Sequence, residues 1–85
     1  MKEQEIGYLS KFFGQISVAA IEITAGELQV GDKIRIVGHT TDLKMAIECM
    51  QIEYAFVEST VNGDNIGVKV ANKVRRNDKV AKLVD

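Results

Sequence analysis

Apolar and polar residues alternate along most of this chain. That is the periodicity of a strand with one buried face, because successive strand side chains point to opposite sides of the sheet. Ile16, Val18 and Ala20 alternate with Gln15, Ser17 and Ala19, and then the phase slips so that Ile21 and Ile23 continue around Glu22. A slip of one residue predicts a β-bulge near Ala20, the device that bends strands in small barrels. Ile34 and Ile36 around Arg35, Ile66, Val68 and Val70 around Gly67 and Lys69, and the run from Val80 to Val84 extend the pattern. All are rich in β-branched residues, which fit a pleated, half-buried surface.

Between these runs lie Ala25-Gly26-Glu27, Val30-Gly31-Asp32, Asn62-Gly63-Asp64 and Arg76-Asn77-Asp78, each with a Gly or Asn where a turn needs positive φ. Three of them share a local pattern: Gly31-Asp32-Lys33-Ile34, Gly63-Asp64-Asn65-Ile66 and Asn77-Asp78-Lys79-Val80. Each reads as a turn followed by strand entry, with the Asp carboxylate able to accept from nearby backbone N–H groups. The unequal spacing of the three argues against a repeat protein. Short strands with turns at such intervals predict an all-β sandwich or barrel.

Leu43 to Tyr54 fits two templates. Leu43, Ile47, Met50 and Tyr54 form a helical stripe that Asp42 could cap, yet Met45, Ile47 and Cys49 alternate as in a strand, followed after a slip by Met50, Ile52 and Tyr54. Periodicity alone leaves both open.

Eighty-five residues leave too little apolar surface for two cores, so residues 1–85 are expected to form one domain. A composition 46% hydrophobic and 27% charged is that of a globular protein. No apolar run is long enough to span a bilayer, and Met1-Lys2-Glu3-Gln4-Glu5 lacks a secretion-signal pattern, so a cytoplasmic chain without membrane contact is expected. Cys49 is the single cysteine, which excludes an internal disulfide.

The formal net charge of −1 conceals an asymmetry. Residues 1–65 hold five basic and ten acidic side chains, net −5, whereas residues 66–85 hold six basic and two acidic, net +4. The six are Lys69, Lys73, Arg75, Arg76, Lys79 and Lys82, and on one side of the fold they would form a basic face.

The order of these pieces resembles a known domain. Gly26-Glu27-Leu28-Gln29-Val30-Gly31-Asp32-Lys33-Ile34-Arg35-Ile36-Val37-Gly38, then Gly63-Asp64-Asn65-Ile66-Gly67-Val68 and a terminal Asp78-Lys79-Val80, are similar to the β-barrel domain that follows the GTPase domain in translation elongation and initiation factors. Gly38-His39-Thr40-Thr41-Asp42 and Met50-Gln51-Ile52-Glu53 resemble the free-standing translation elongation factor-like proteins. They also resemble the C-terminal barrel of collagenase-like, U32-type peptidases, a family with members associated with RNA hydroxylation. The resemblance covers roughly residues 5–84 and implies an all-β fold: a small, closed or nearly closed Greek-key barrel of six to seven strands. It also implies a strand over Met45 to Tyr54.

The departures limit what is carried over. No Gly-x-x-x-x-Gly-Lys-Ser/Thr phosphate loop is present, and Asn72-Lys73-Val74-Arg75 puts Arg where a guanine-reading carboxylate is needed, so GTP binding is not expected. Where the tRNA-delivering factor carries a Glu and, three residues on, an Arg near the aminoacyl end of tRNA, this chain has Gln51 and Tyr54. Gln can hydrogen-bond and Tyr can stack on a base, but the charge pair is gone.

Chemistry of the chain's own is thinly provided. His39 and Cys49 could make a base and nucleophile, but nothing in the sequence orients them, and a metal site would need more ligands. Glu48 and Glu53 read as solvent-facing strand residues. Phe12 and Phe13 must point to opposite faces of a strand, leaving one exposed near Tyr8 for stacking or docking. No enzyme activity and no cofactor are expected. The leading expectation is a non-catalytic module that contacts tRNA, rRNA or a ribonucleoprotein through Lys69, Lys73, Arg75, Arg76 and Lys79, with Gln51 and Tyr54. The competing one is a protein-docking accessory domain of a peptidase-like or RNA-modifying enzyme.

Overall fold

The computed structural model describes residues 2–53, 55–71 and 73–84. Ten strands follow one another: β1 (Lys2–Phe13), β2 (Val18–Ile23), β3 (Glu27–Gln29), β4 (Lys33–Val37), β5 (Asp42–Ala46), β6 (Met50–Ile52), β7 (Ala55–Val57), β8 (Ser59–Val61), β9 (Asn65–Lys69) and β10 (Lys79–Val84). The expected count of six to seven falls short because β3, β7 and β8 are three residues each, too short to show alternation, and because the single strand expected over Met45 to Tyr54 is interrupted at residues 47–49, between β5 and β6. No helix occurs among the described residues, and the ambiguous segment resolves into β5 and β6.

Eight strands form one antiparallel sheet in the order β5-β4-β10-β1-β2-β9-β6-β7, and β3 pairs with β8 in a separate ribbon. Laid flat, the six steps from β5 to β6 would cover about 29 Å at about 4.8 Å each. Only residues 47–49 link these two strands, and four Cα steps reach about 14 Å at most. The sheet is therefore rolled until its margins approach. It remains open, because no ladder joins β5 to β7 among the described residues. The β3–β8 ribbon and the link hold one end together through Val30 N–H to Glu58 O at 2.9 Å, Gly31 N–H to Ile47 O at 2.8 Å and Ile47 N–H to Asp32 O at 2.8 Å.

The roll encloses a single core in which Ile6, Leu9, Ile21, Ile36, Met50 and Val80 have no exposed surface. Complete burial of such a side chain stabilises by about 1.5–3 kcal/mol, so aliphatic packing is the principal force here.

The bulge expected near Ala20 lies on the neighbouring strand. Leu9 faces Ile21 and Lys11 faces Ala20, so β1 takes two steps where β2 takes one, and Ser10 is the extra residue. Its hydroxyl donates to Ala20 O at 3.2 Å. β2 itself keeps strict alternation, with Ala19, Ile21 and Ile23 buried and Val18 and Ala20 on the outer face. The sequence pattern misled because two apolar residues of β2 face outward. A second shift between Glu5 and Gly7 bends β1 again, letting it pair with both β10 and β2.

The three Gly/Asn-Asp units are copies of one turn. Asp32, Asp64 and Asp78 each accept through Oδ2 from the backbone N–H three residues earlier, of Gln29, Val61 and Arg75, at 2.8, 2.9 and 2.9 Å. In each, the Asp N–H donates back to the carbonyl of that same residue. The residue before Asp has positive φ: Gly31 at 98°, Gly63 at 99° and Asn77 at 72°, as the third position of a type II turn requires.

Candidate functional site

The outer face of β1, β2, β9 and β6 carries an apolar groove. Cross-strand pairing sets Lys11, Ala20, Gly67, Gln51 and Phe56 in one row and Phe13, Val18 and Lys69 in the next. Val18, Ala20 and Gly67 make the floor, and Phe13, Ile16, Gln51, Glu53 and Asn65 rise around it to enclose about 290 Å³. The floor is low because two of its three residues are the smallest available. Ile16 is 62% exposed and Phe56, at the end of the row, 73%. Lys11 Nζ lies 5.0 Å from the centre of the Phe13 ring, a cation–π distance. Phe12 turns to the core while Phe13 faces out, as adjacent strand residues must.

A polar strip runs beside the groove, with Tyr8 facing Lys79 on one side and Glu22 on the other. The Tyr8 hydroxyl donates to Glu22 Oε2, and this bond to a carboxylate raises the phenol above its ordinary pKa of 10.0, with Arg76 opposing. Farther along, Arg35 donates to Asp42 through Nε and Nη2 and to Glu3 through Nη1, all at 2.9 Å. Asp42 is held below its usual carboxylate range by that bidentate bond, and the Arg35 pKa rises in turn.

The anticipated basic residues are spread over β9, β10 and the chain between them, and β9 and β10 are not neighbours in the sheet. Lys69 ends β9 at the groove, Lys73, Arg75 and Arg76 are exposed between β9 and β10, and Lys79 opens β10. Val70 and Val74 in the same stretch are both buried in the core. Lys79 Nζ stands 3.8 Å from Glu5 Oε1, and Lys82 Nζ 3.2 Å from Asp32 Oδ2, so a carboxylate adjoins two of the six cations. Gln51 is half-buried on the groove wall, and Tyr54 lies outside the described residues.

His39 sits in the β4–β5 hairpin loop, exposed, whereas Cys49 follows β5. The two lie beyond opposite ends of a five-residue strand, which spans about 13 Å. That separation excludes hydrogen bonding between them. Cys49 instead lines a separate crevice with Met45, Glu48, Lys69 and Val70. Glu48 and Glu53 flank β6 and are exposed. Among the described residues no group of three or more His, Cys, Asp or Glu side chains is placed to hold a metal ion.

No family model matches the chain. An uncharacterized protease of Methanocaldococcus jannaschii is 39% identical over 77 residues, 89% of this chain and 19% of that protein. A collagenase of Porphyromonas gingivalis is 38% identical over 76 residues, 88% of this chain and 21% of that protein. The chain is homologous to one segment of collagenase-type proteases. It spans about a fifth of the length of the curated relatives it matches. The C-terminal domain of an inferred U32 peptidase from Geobacillus thermoleovorans superposes with a TM-score of 0.87, covering 95% of this chain and 93% of that domain at 13% identity. Its selenomethionine variant gives 0.84 over 91% of this chain. These structures share the fold, and the matches support the peptidase side of the expected resemblance while adding nothing to the translation-factor side.

Sequence reasoning did not single out Ile16, Val18, Ala20 and Phe56 as surface residues. The signal was present in the first three, whose alternation placed them out of phase with Ile21 and Ile23.

Proposed function

We propose that the chain is a non-catalytic accessory domain that docks on a peptidase-like or RNA-modifying enzyme. The observation that carries this reading is its homology to about a fifth of two protease-type proteins. An outer face rich in exposed apolar side chains supports it, since such clusters on small domains commonly mark protein contacts. The separation of His39 from Cys49 supports a non-catalytic role. RNA contact through Lys73, Arg75 and Arg76, exposed between β9 and β10, is the competing reading, and it rests on exposure and charge alone.

The purified chain mixed with a U32-type peptidase of the same cell tests the proposal by sedimentation velocity. Cosedimentation is expected, unchanged when Arg75 and Arg76 are replaced by Glu. Independent sedimentation of the two proteins, together with salt-sensitive tRNA binding by the chain, would overturn docking in favour of RNA.

A further inference from the structure

We infer that the groove floored by Val18, Ala20 and Gly67 receives a short polypeptide segment. That segment presents one large apolar side chain, with a carboxylate directed toward Lys69 and Lys11. The inference deepens the docking reading and rests on it.

Three features select this occupant. The first is size: about 290 Å³ leaves room for one or two side chains. The second is electrical polarity along β9. Lys69 lies at one end, beside Phe13 and Val18, and Glu53 and Asn65 stand at the other. Lys11 adds a second ammonium group on the β1 side. Among the described residues neither Lys11 nor Lys69 has a carboxylate within ion-pair distance, whereas Arg35, Lys79 and Lys82 each do. A carboxylate at the Lys69 end would meet an ammonium group that no carboxylate pairs, with Glu48 on the crevice beyond it and Lys11 over the Phe13 ring, whereas one at the opposite end would meet Glu53. The third is shape. The backbone of Gly67 is open to the floor, with Val18 Cγ1 3.4 Å from where a Cβ on it would stand. The apolar side chain would lie against this floor, under Phe13 and Ile16, and lose its hydration there.

The test is an amide-resolved NMR titration of the 85-residue chain with acetyl-Ser-Asp-Asp-Leu-Phe-Gly-Ser-amide. Expected shifts fall on Phe13, Val18, Ala20, Gly67 and Lys69. Exposed charge pairs are weak, so Lys69→Glu, or Asn in place of both peptide Asp residues, should weaken binding about five- to tenfold rather than abolish it. Gly67→Val should fill the floor and remove binding, with a dispersed spectrum showing that the variant is folded. Lys69→Glu alters an exposed side chain and keeps the test valid if Gly67→Val does not fold. Shifts located elsewhere, no shifts, or equal binding of a peptide with Lys in place of Asp would overturn the inference. So would tighter occupation of the same amides by a single-stranded oligonucleotide. If groove variants still cosediment with the peptidase, the groove assignment fails and the docking reading stands.

Discussion

The carboxylate of Asp78 fills the space in which a Cβ on Gly38 would stand, closer than any real side chain could tolerate. Asp78 is 95% buried by its surroundings, being only 5% exposed. Its Oδ2 takes the Arg75 N–H, and its backbone carbonyl takes the Leu9 N–H at 2.8 Å. The turn before β10 and the loop after β4 thus meet at this carboxylate, and β1 joins them through the main-chain carbonyl of the same residue.

Gly38→Ala should displace that carboxylate and loosen the three segments together. A loss of about 1–3 kcal/mol is expected, the range of overpacking a filled site. Urea unfolding measures it, and an unchanged midpoint would show that Asp78 moves aside at no cost.

The turn glycines are a gentler case. Gly31 and Gly63 have positive φ and open space around them, so Ala there should cost only the backbone penalty, about 1 kcal/mol each. Additivity in the double variant is the check, because the two turns touch different partners.

Acid should weaken the fold partly through Asp64. The Val61 N–H and the Thr60 hydroxyl hold its carboxyl below the ordinary value of 3.8. A group with a depressed folded pKa adds stability above its unfolded value and loses it as pH falls through the folded one. Unfolding midpoints from about pH 7 to about pH 3 should therefore fall less steeply in Asp64→Asn, which starts less stable. Parallel curves for the two proteins would contradict this.

Ile47→Ala should be among the most damaging single changes. Ile47 is 1% exposed in the short link between β5 and β6, and its backbone bonds to both Gly31 and Asp32. Truncating a buried Ile costs about 2–5 kcal/mol, and here the cavity would open where the rolled sheet's margins approach. Faster amide exchange confined to β3, β5 and β6 would accompany the loss; a uniform change would argue against a local role.

Sequence alone determined the all-β character of the chain, its turn positions and much of its core. Those features follow from local rules: β-branched alternation, Gly or Asn at positive φ, and an Asp that can reach back three residues. The short strands β3, β7 and β8 were not legible, since three residues carry no measurable period, and β6 was legible only through the family resemblance, because periodicity over Leu43 to Tyr54 fits helix and strand alike. Tertiary structure alone decided where the bulge sits, because Ala19 and Ala20 satisfy either phase of β2 and only the Leu9–Lys11 step against Ile21 and Ala20 breaks the tie. It also decided that Val18 and Ala20 of β2 adjoin Gly67 of β9. Such a surface is created by pairing between residues nearly fifty positions apart, and no pattern within a single strand encodes it.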